Sequence, residues 1–295
     1  MELNQATIDT PPRDAASIVM IRDGAAGLEV LLVRRHVQTA VLGGACVFPG
    51  GKVDADDSSP AVQARLDRTP AELHARLAEP DLSPGQAAAC FAAAAREAFE
   101  EAGVLYMQVG GQEVATVDAD ACASLRAGEP FGALLARLNL TLDTDALVPW
   151  SRWITPRQPS VMNKRFDTRF FLAAAPPEQV ATHDDHEVTE LLWRTPRAAL
   201  EQYRDHVIDL APPQIISLAH LARFASAEAA LADARGRRPP LIQPEPYDEN
   251  GTRVLTYPGD PRHSVPERAL PCPTRLRYHD KRFLPEQGFE AFFAF

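Results

Sequence analysis

The chain has 295 residues, of which 45% are apolar, so it is long enough for one large domain or two small ones around a genuine core. Its formal net charge is −10, from 40 acidic and 30 basic side chains, which argues against a general nucleic-acid binder because such proteins carry a basic footprint. No apolar run is long enough to span a membrane, and the N-terminus lacks the basic, apolar pattern of a signal peptide. The cysteines lack CxxC spacing, which is typical of reduced thiols: Cys46, Cys90, Cys122 and Cys272.

The first part of the chain predicts an arm, a hairpin and a helical insertion. Residues 1–14 are polar with two prolines, which favours a flexible arm. The β-like runs at 16–21 and 28–35 flank the turn signal DGAAG, so they predict a hairpin. A glycine-containing loop then leads to a short strand at 45–48. Within 55–83, the proline-opened segments PAVQARLD and PAELHARLAE predict a small helical insertion, which could act as a lid.

The strongest local signal predicts a helix over 84–102. Ser83 can cap its first turn, Pro84 suits the first helical position, and Gln86 completes a capping box. The alanine-rich stretch that follows favours helix. Gly103 is the expected C-terminal cap.

The residues after this helix predict further strands and helices, which are, in chain order, a strand at 103–110, mostly helix over 112–145, strands at 150–156 and 165–176, a strand and a helix over 186–200, and an amphipathic helix at 212–224. This mixed order predicts a layered α+β or α/β fold. Residues 226–295 are proline-rich and end in QGFEAFFAF. They predict a C-terminal extension whose aromatic side chains pack on the core or on a partner subunit.

Three acids end the helix over 84–102. Glu97, Glu100 and Glu101 have i, i+3 and i+4 spacing, so they share one helical face. Like charges so placed repel each other, and they lie at the electronegative end of the helix. A bound Mg²⁺ or Mn²⁺ would offset this repulsion, since carboxylate oxygens are ligands that these ions prefer. The alternative is a solvated acidic face.

The sequence around these acids resembles the Nudix box. Residues 96–104, REAFEEAGV, match every fixed position of the second half of the pattern, R-E-U-x-E-E-x-G-U, where U is apolar. Upstream, residues 48–54, FPGGKVD, resemble the loop that opens the box. The chain thus resembles the Nudix hydrolases.

The resemblance is split by an insertion. The full pattern, G-x5-E-x7-R-E-U-x-E-E-x-G-U, places its first acid at Asp57 when counted forward from Gly51 and at Ala88 when counted back from Arg96. Three acids are candidates for this position: Asp54, Asp56 and Asp57.

The resemblance implies the Nudix fold, an α/β/α sandwich of α+β type, over residues 15–225. The insertion at about 55–83 would lie inside the box, and residues 226–295 would form the C-terminal extension.

The resemblance also implies the chemistry: metal-dependent cleavage of the diphosphate linkage in a nucleoside diphosphate derivative. Glu97, Glu100 and Glu101 would be the metal ligands, with Glu97 and Glu100 also catalytic. Arg96 would hold a glutamate by a bidentate ion pair, and Gly103 would be structural.

The proton acceptor is expected on a later loop, HDDHEVTE, at 183–190. Glu187 is the first candidate and Glu190 the second. The alternative is an acidic surface turn. His183 and His186 could bind metal or phosphate, or simply face solvent.

Residues 31–51 resemble the motif that precedes the box in coenzyme A diphosphatases. In register are Leu31, Leu32, Arg35, Gly44 and FPGG, while Val33, His36 and Ala40 depart from the motif. The layout of the rest resembles the peroxisomal branch of these enzymes and its bacterial relatives. The implied substrate-binding residues are Arg35, Gly50, Gly51, Arg165 and Arg169. Salt bridges at strand edges are the alternative for the arginines.

Three hypotheses follow: a diphosphatase for coenzyme A or acyl-coenzyme A, one for ADP-ribose or NADH, or a non-catalytic Nudix-fold regulator. The expected partner is a small nucleotide substrate, with no nucleic acid and no membrane, and the family resemblance leaves a homodimer open. The C-terminal FFAF does not match a peroxisomal S-K-L address, so the expected location is cytoplasmic.

Overall fold

The computed structural model describes residues 1–39, 41–117, 120–183 and 187–295. Its strands are β1 (Arg13–Gly24), β2 (Gly27–Arg35), β3 (Cys46–Val47), β4 (Gly50–Lys52), β5 (Met107–Val109), β6 (Gln112–Glu113), β7 (Thr141–Leu142), β8 (Val148–Ile154), β9 (Phe166–Ala174), β10 (Val188–Arg194), β11 (Leu241–Ile242), β12 (Glu245–Glu249), β13 (Thr252–Thr256), β14 (Arg275–His279) and β15 (Arg282–Pro285). Its α-helices are α1 (Pro60–Gln63), α2 (Pro70–Leu77), α3 (Pro84–Ala102), α4 (Asp120–Arg126), α5 (Phe131–Arg137), α6 (Pro196–Arg204), α7 (Pro212–Leu221) and α8 (Ala227–Arg235). Short 3₁₀ turns lie at Ala55–Ser58, Thr144–Ala146 and Phe289–Phe293.

A mixed sheet forms the centre of the molecule. Its strand order is β10-β2-β1-β9-β8-β11, with β3 pairing to β2 and β4 to β1. The central pair β1–β9 is parallel and the hairpin β1–β2 is antiparallel. The hairpin predicted from 16–21 and 28–35 is therefore confirmed.

The two faces of the sheet are covered by different layers. Side chains alternate along β1, so Ile18 and Met20 join one core with α3, while Val19 and Ile21 join a second core with α6 to α8. Strand β1 is buried on both faces, as a central strand of a three-layer fold must be. The predicted α/β/α sandwich is confirmed.

Helix α3 begins and ends where its local sequence predicts. The Ser83 side chain accepts a hydrogen bond from the Gln86 N–H, and the Gln86 side chain completes the capping box. Gly103 ends the helix in the left-handed conformation, at φ 64°. The insertion packs on this helix through α2, which buries Leu73 and Leu77.

Two segments differ from the sequence-based expectation. Residues 112–145, predicted mostly helical, also contain strands, because β7 and β6 pair with β5 on either side. The predicted flexible arm is instead hydrogen-bonded: the N–H groups of Asn4 and Ile8 donate to the carbonyls of Ser160 and Arg157. Strand β1 already begins at the end of this segment.

Residues 226–295 add to both the sheet and the core. β11 extends the main sheet beside β8, and β12 to β15 form a separate four-stranded sheet. The terminal aromatic residues pack on α6, where the Arg197 guanidinium lies 3.8 Å from the ring centre of Phe293. Among the described residues, no helix combines the length and apolarity needed to cross a bilayer.

Candidate active site

The end of α3 meets the loop that carries the FPGG sequence. Strand β4 pairs with β1, and this pairing sets Gly50 opposite Ser17 and Gly51 opposite Ala16. The Gly50 N–H donates a 2.9 Å hydrogen bond to Oε2 of Glu101. The strand pairing therefore brings the glycine loop against the acidic face of α3.

Gly51 is required by the close approach of Glu97. A Cβ atom at this position would lie 2.3 Å from Oε1 of Glu97, well inside van der Waals contact. Any other residue would displace that carboxylate. The absence of a side chain at Gly51 therefore lets the loop backbone approach the acids.

Arg96 is the centre of the acidic cluster and is 7% exposed. Its Nε and Nη2 donate to the two carboxylate oxygens of Asp57 at 2.9 and 3.0 Å. Its Nη1 donates to Glu97 at 2.9 Å and to Glu100 at 2.8 Å. The bidentate partner is therefore an aspartate from the insertion and not a glutamate of the helix, which corrects the prediction for Arg96.

Asp57, the candidate given by the forward count from Gly51, is the bidentate partner of Arg96. It is 1% exposed and also accepts a 2.8 Å hydrogen bond from the Asp54 N–H. Burial raises the pKa of Asp57, and the Arg96 guanidinium opposes that rise. Of the other candidates, the Asp54 side chain is 53% exposed at 3.9 Å from Arg96, and Asp56 accepts from the Gly132 N–H. The forward count from the glycine loop thus identifies the acid that pairs with the arginine.

Burial disfavours the charged forms of the three glutamates of α3. It raises the pKa of Glu97 and of Glu101 well above the usual carboxyl range, although Arg96 lowers the first and Arg35 the second. Burial also raises the pKa of Glu100. The Arg35 Nη1 lies 3.3 Å from Oε1 of Glu101. Two arginines thus face three crowded carboxylates, which a divalent cation would stabilise.

The ligand atoms offered at this site are of the type that a hard divalent cation prefers. Glu97, Glu100 and Glu101 offer carboxylate oxygens, the ligands that Mg²⁺ and Mn²⁺ take. In the described part of the chain, no three acidic, histidine or cysteine side chains already surround one point. Arg96 Nη1 contacts both Glu97 and Glu100, at 2.9 and 2.8 Å. The second oxygens of these two carboxylates accept no hydrogen bond from any described residue.

Glu187 lies at the same site, whereas Glu190 does not. Glu187 lines the cavity beside the acids, and its charge raises the pKa of Glu100 and Glu101. Glu190 pairs instead with Arg34 at 2.7 Å on the edge of the sheet. This placement favours Glu187 as the proton acceptor. His183 is not among the described residues that line the cavity. Two further predicted positions lie outside the described residues: Ala40 and His186.

A cavity of about 870 Å³ begins at the acids and extends along the sheet face that carries α7. Its polar end is lined by Arg35, Gly50, Gly51, Glu97, Glu100, Glu101 and Glu187. Its apolar end includes Trp153, Val161, Met162, Phe170, Pro212, Pro213, Pro244 and Leu255. Basic side chains also lie on the lining: Arg13, Lys52, Arg126 and Lys164. The cavity volume is in the range of small-molecule sites.

Arg165 and Arg169, predicted to bind substrate, are not among the described lining residues. Alternate residues of β9 face opposite sides, so Phe166, Thr168 and Phe170 line the cavity while Arg169 points away from it. Arg169 is 2% exposed and pairs with Glu79 at 2.8 Å. Arg165 donates to two backbone carbonyls, of Thr155 and Thr10. These placements correct the prediction. The alternative, a salt bridge, describes Arg169 alone, because the described partners of Arg165 are backbone carbonyls.

The sequence reasoning missed the apolar end of the cavity. Gln214 and Leu255 line it, yet they stand far from the box in sequence. The alternation of β9 could have indicated Phe166, Thr168 and Phe170 as one face. No local signal marks Gln214, because its position follows from how α7 packs on the sheet.

Comparison with known proteins finds similar Nudix proteins. The NUDT19 Nudix domain model matches residues 70–221. The acyl-coenzyme A diphosphatase NUDT19 of Xenopus laevis is 30% identical over 230 residues, which cover 67% of this chain and 60% of that protein. The Homo sapiens protein of the same name is 33% identical over 236 residues, covering 68% and 62%. This chain therefore spans less than two thirds of the length of these two relatives.

A solved structure is also similar. The crystal structure of a NUDIX hydrolase from Alicyclobacillus acidocaldarius aligns with a TM-score of 0.63 and 32% sequence identity. The alignment covers 76% of this chain and 97% of that one.

Proposed function

This chain belongs to the NUDT19 Nudix domain family of Nudix hydrolases, and we propose that it hydrolyses the diphosphate linkage of coenzyme A or acyl-coenzyme A with Mg²⁺ or Mn²⁺. One observation carries the proposal: the acidic face of α3 and a group of apolar side chains line one and the same cavity. The printed activity of the frog and human relatives, acyl-coenzyme A diphosphatase, supports the choice of substrate.

The reaction needs a water molecule at one phosphorus atom. As the water oxygen bonds to that phosphorus, the bond from phosphorus to the bridging oxygen breaks, and the bridging oxygen leaves with the other phosphate. The products would be adenosine 3′,5′-bisphosphate and 4′-phosphopantetheine or its acyl derivative. When bound, Mg²⁺ or Mn²⁺ supplies neutralising charge and lowers the pKa of a water molecule.

The residues at the polar end would divide the remaining tasks. Glu97, Glu100 and Glu101 would hold the cation through their carboxylates. Arg96 would fix the first two in place, since its Nη1 donates to both. Arg35 reaches the same end of the cavity and presents a guanidinium that suits a phosphate oxygen.

Glu187 would accept the proton of the attacking water. It is exposed on the cavity wall, and no described side chain forms an ion pair with it. A carboxylate in this state can take up a proton and release it to solvent. Glu190 is less suited, because Arg34 already holds its carboxylate.

Cleavage of ADP-ribose or NADH is the second candidate. It would use the same acids and the same loop. The apolar end disfavours it, because a ribose or dihydronicotinamide group would place polar hydroxyl or carboxamide groups against Trp153, Met162 and Leu255.

A turnover panel tests the proposal. Purified protein with Mg²⁺ or Mn²⁺ is incubated with coenzyme A, acetyl-coenzyme A, ADP-ribose and NADH, and the products are separated by chromatography. We expect cleavage of coenzyme A and its thioester, with adenosine 3′,5′-bisphosphate among the products. Cleavage of ADP-ribose or NADH alone would keep the metal site and contradict the coenzyme A assignment. Binding without cleavage of any of the four would favour a regulator.

A further inference from the structure

The apolar end of the cavity is built partly from residues outside the family match, which ends at residue 221. Within this end, we define the apolar compartment as the part lined by Trp153, Val161, Met162, Gln214, Pro244 and Leu255. Pro244 and Leu255 belong to the C-terminal extension, and both are buried. None of these six side chains carries a charge. The compartment therefore suits a neutral, largely apolar group.

Gln214 is an exception in this apolar wall. It is 6% exposed, and its Oε1 is buried without a hydrogen-bond partner in the described part of the chain. A buried amide oxygen left unpaired costs stability, and a ligand that donates to it would recover that cost. Since Gln214 lines the cavity, rotation of its side chain would turn this oxygen toward a ligand with an N–H group.

The position of Gln214 on α7 argues against an anionic ligand there. Pro212 and Pro213 open the helix, so two of the N–H groups that make a helix N-terminus attractive to anions are absent. The preceding residue, Ala211, provides no side-chain cap. The first turn of α7 thus presents apolar rings and one carboxamide.

We propose that the apolar compartment binds the acyl-pantetheine arm of the substrate and that Gln214 pairs with an amide group of that arm. The inference rests on the proposed function and adds to it the part of the chain that selects the substrate. The arm is uncharged, contains two secondary amides and ends in an apolar chain when acylated, which matches each feature of the compartment. The C-terminal extension thereby takes part in substrate selection.

Two substitutions and one matched control test this assignment. Val161→Trp fills the compartment with a larger ring. Gln214→Leu replaces the carboxamide by an apolar side chain that branches one carbon earlier. Val180→Trp makes the same change as the first variant at a position that is 82% exposed and not on the cavity lining.

The readouts compare ligands with and without the arm. KM is measured for dodecanoyl-coenzyme A, and Ki for adenosine 3′,5′-bisphosphate, which lacks the arm. Dissociation constants of both ligands are also measured by calorimetry in the Glu100→Gln background, so that binding is observed without turnover. Thermal unfolding of each variant reports whether the fold is intact.

We expect Val161→Trp to raise the KM for dodecanoyl-coenzyme A roughly 5- to 100-fold, the range for steric overpacking. Gln214→Leu should raise it roughly 2- to 10-fold, as for one neutral hydrogen bond, with kcat little changed. The melting temperature of Gln214→Leu should stay equal or rise, because the variant removes an unpaired buried oxygen. Neither variant should alter Ki for adenosine 3′,5′-bisphosphate, and Val180→Trp should match wild type.

Equal losses for both ligands, or no loss for either, would overturn the assignment of the arm to this compartment while leaving the diphosphatase activity in place. Failure of the wild type to cleave or bind coenzyme A thioesters would overturn the proposed function and this inference with it.

Discussion

The buried pair between Asp57 and Arg96 offers a sharp test of the split box. Asp57→Asn keeps the shape of the side chain but removes its charge, and it turns an amide N–H group toward a guanidinium that only donates. Asp57 is 1% exposed and accepts two hydrogen bonds from Arg96, at 2.9 and 3.0 Å. Removal of one partner from a buried ion pair costs about 3–5 kcal/mol. We expect the free energy of unfolding to fall by this amount. Turnover should fall about 10- to 100-fold, since Arg96 also positions Glu97 and Glu100.

The assay is urea unfolding of the metal-free protein together with kcat on coenzyme A. Asp54→Asn is the matched control, because Asp54 lies 3.9 Å from the same guanidinium but its side chain is 53% exposed. That variant should lose less than about 1 kcal/mol and retain turnover. Equal effects of the two substitutions, or a neutral Asp57→Asn, would refute the argument that Asp57 replaces the first acid of the box.

Two further predictions concern other sites. Gly51→Ala should reduce turnover at least about 10-fold, because its Cβ would lie 2.3 Å from Oε1 of Glu97. Gly85→Ala is the control, because its Cβ would meet nothing closer than 3.5 Å. This control should retain activity, and its free energy of unfolding, measured by chemical denaturation, should rise by up to roughly 1 kcal/mol. His220 stacks on Trp150, and burial lowers its pKa from 6.5 to about 4, so the unfolded chain takes up the proton first as the pH falls. The free energy of unfolding should therefore decrease by up to roughly 3 kcal/mol between pH 6.5 and 4, and His220→Phe should flatten this part of a pH series of unfolding curves. An unchanged slope would contradict the assignment to His220.

Local signals in the sequence were sufficient for α3 and its acids. The bounds of the helix follow from the sequence, because each signal acts within a few residues along the chain. These signals are the capping box at Ser83, the alanine-rich interior and Gly103. The common face of Glu97, Glu100 and Glu101 follows from the helical repeat in the same way.

Long-range contacts were not accessible to the same reasoning. Asp57 and Arg96 are 39 residues apart, and only the packing of the insertion on α3 brings them together. Arg169 looked suited to phosphate by residue type, but the register of β9 directs it into a buried network with Glu79. Leu255 reaches the cavity from the C-terminal sheet, a placement that no nearby motif indicates.

The most direct test of the central claim is the effect of Glu100→Gln on coenzyme A hydrolysis and on Mn²⁺ binding, followed by electron paramagnetic resonance. Glu190→Gln serves as the control, because Glu190 is an acid of strand β10 whose carboxylate is held by Arg34. We predict that Glu100→Gln lowers turnover at least about 100-fold and weakens Mn²⁺ binding, since even outer partners of a metal site cost 10- to 100-fold, while Glu190→Gln resembles wild type. Full turnover and unaltered Mn²⁺ affinity in Glu100→Gln would contradict the claim that the acidic face of α3 holds the catalytic metal.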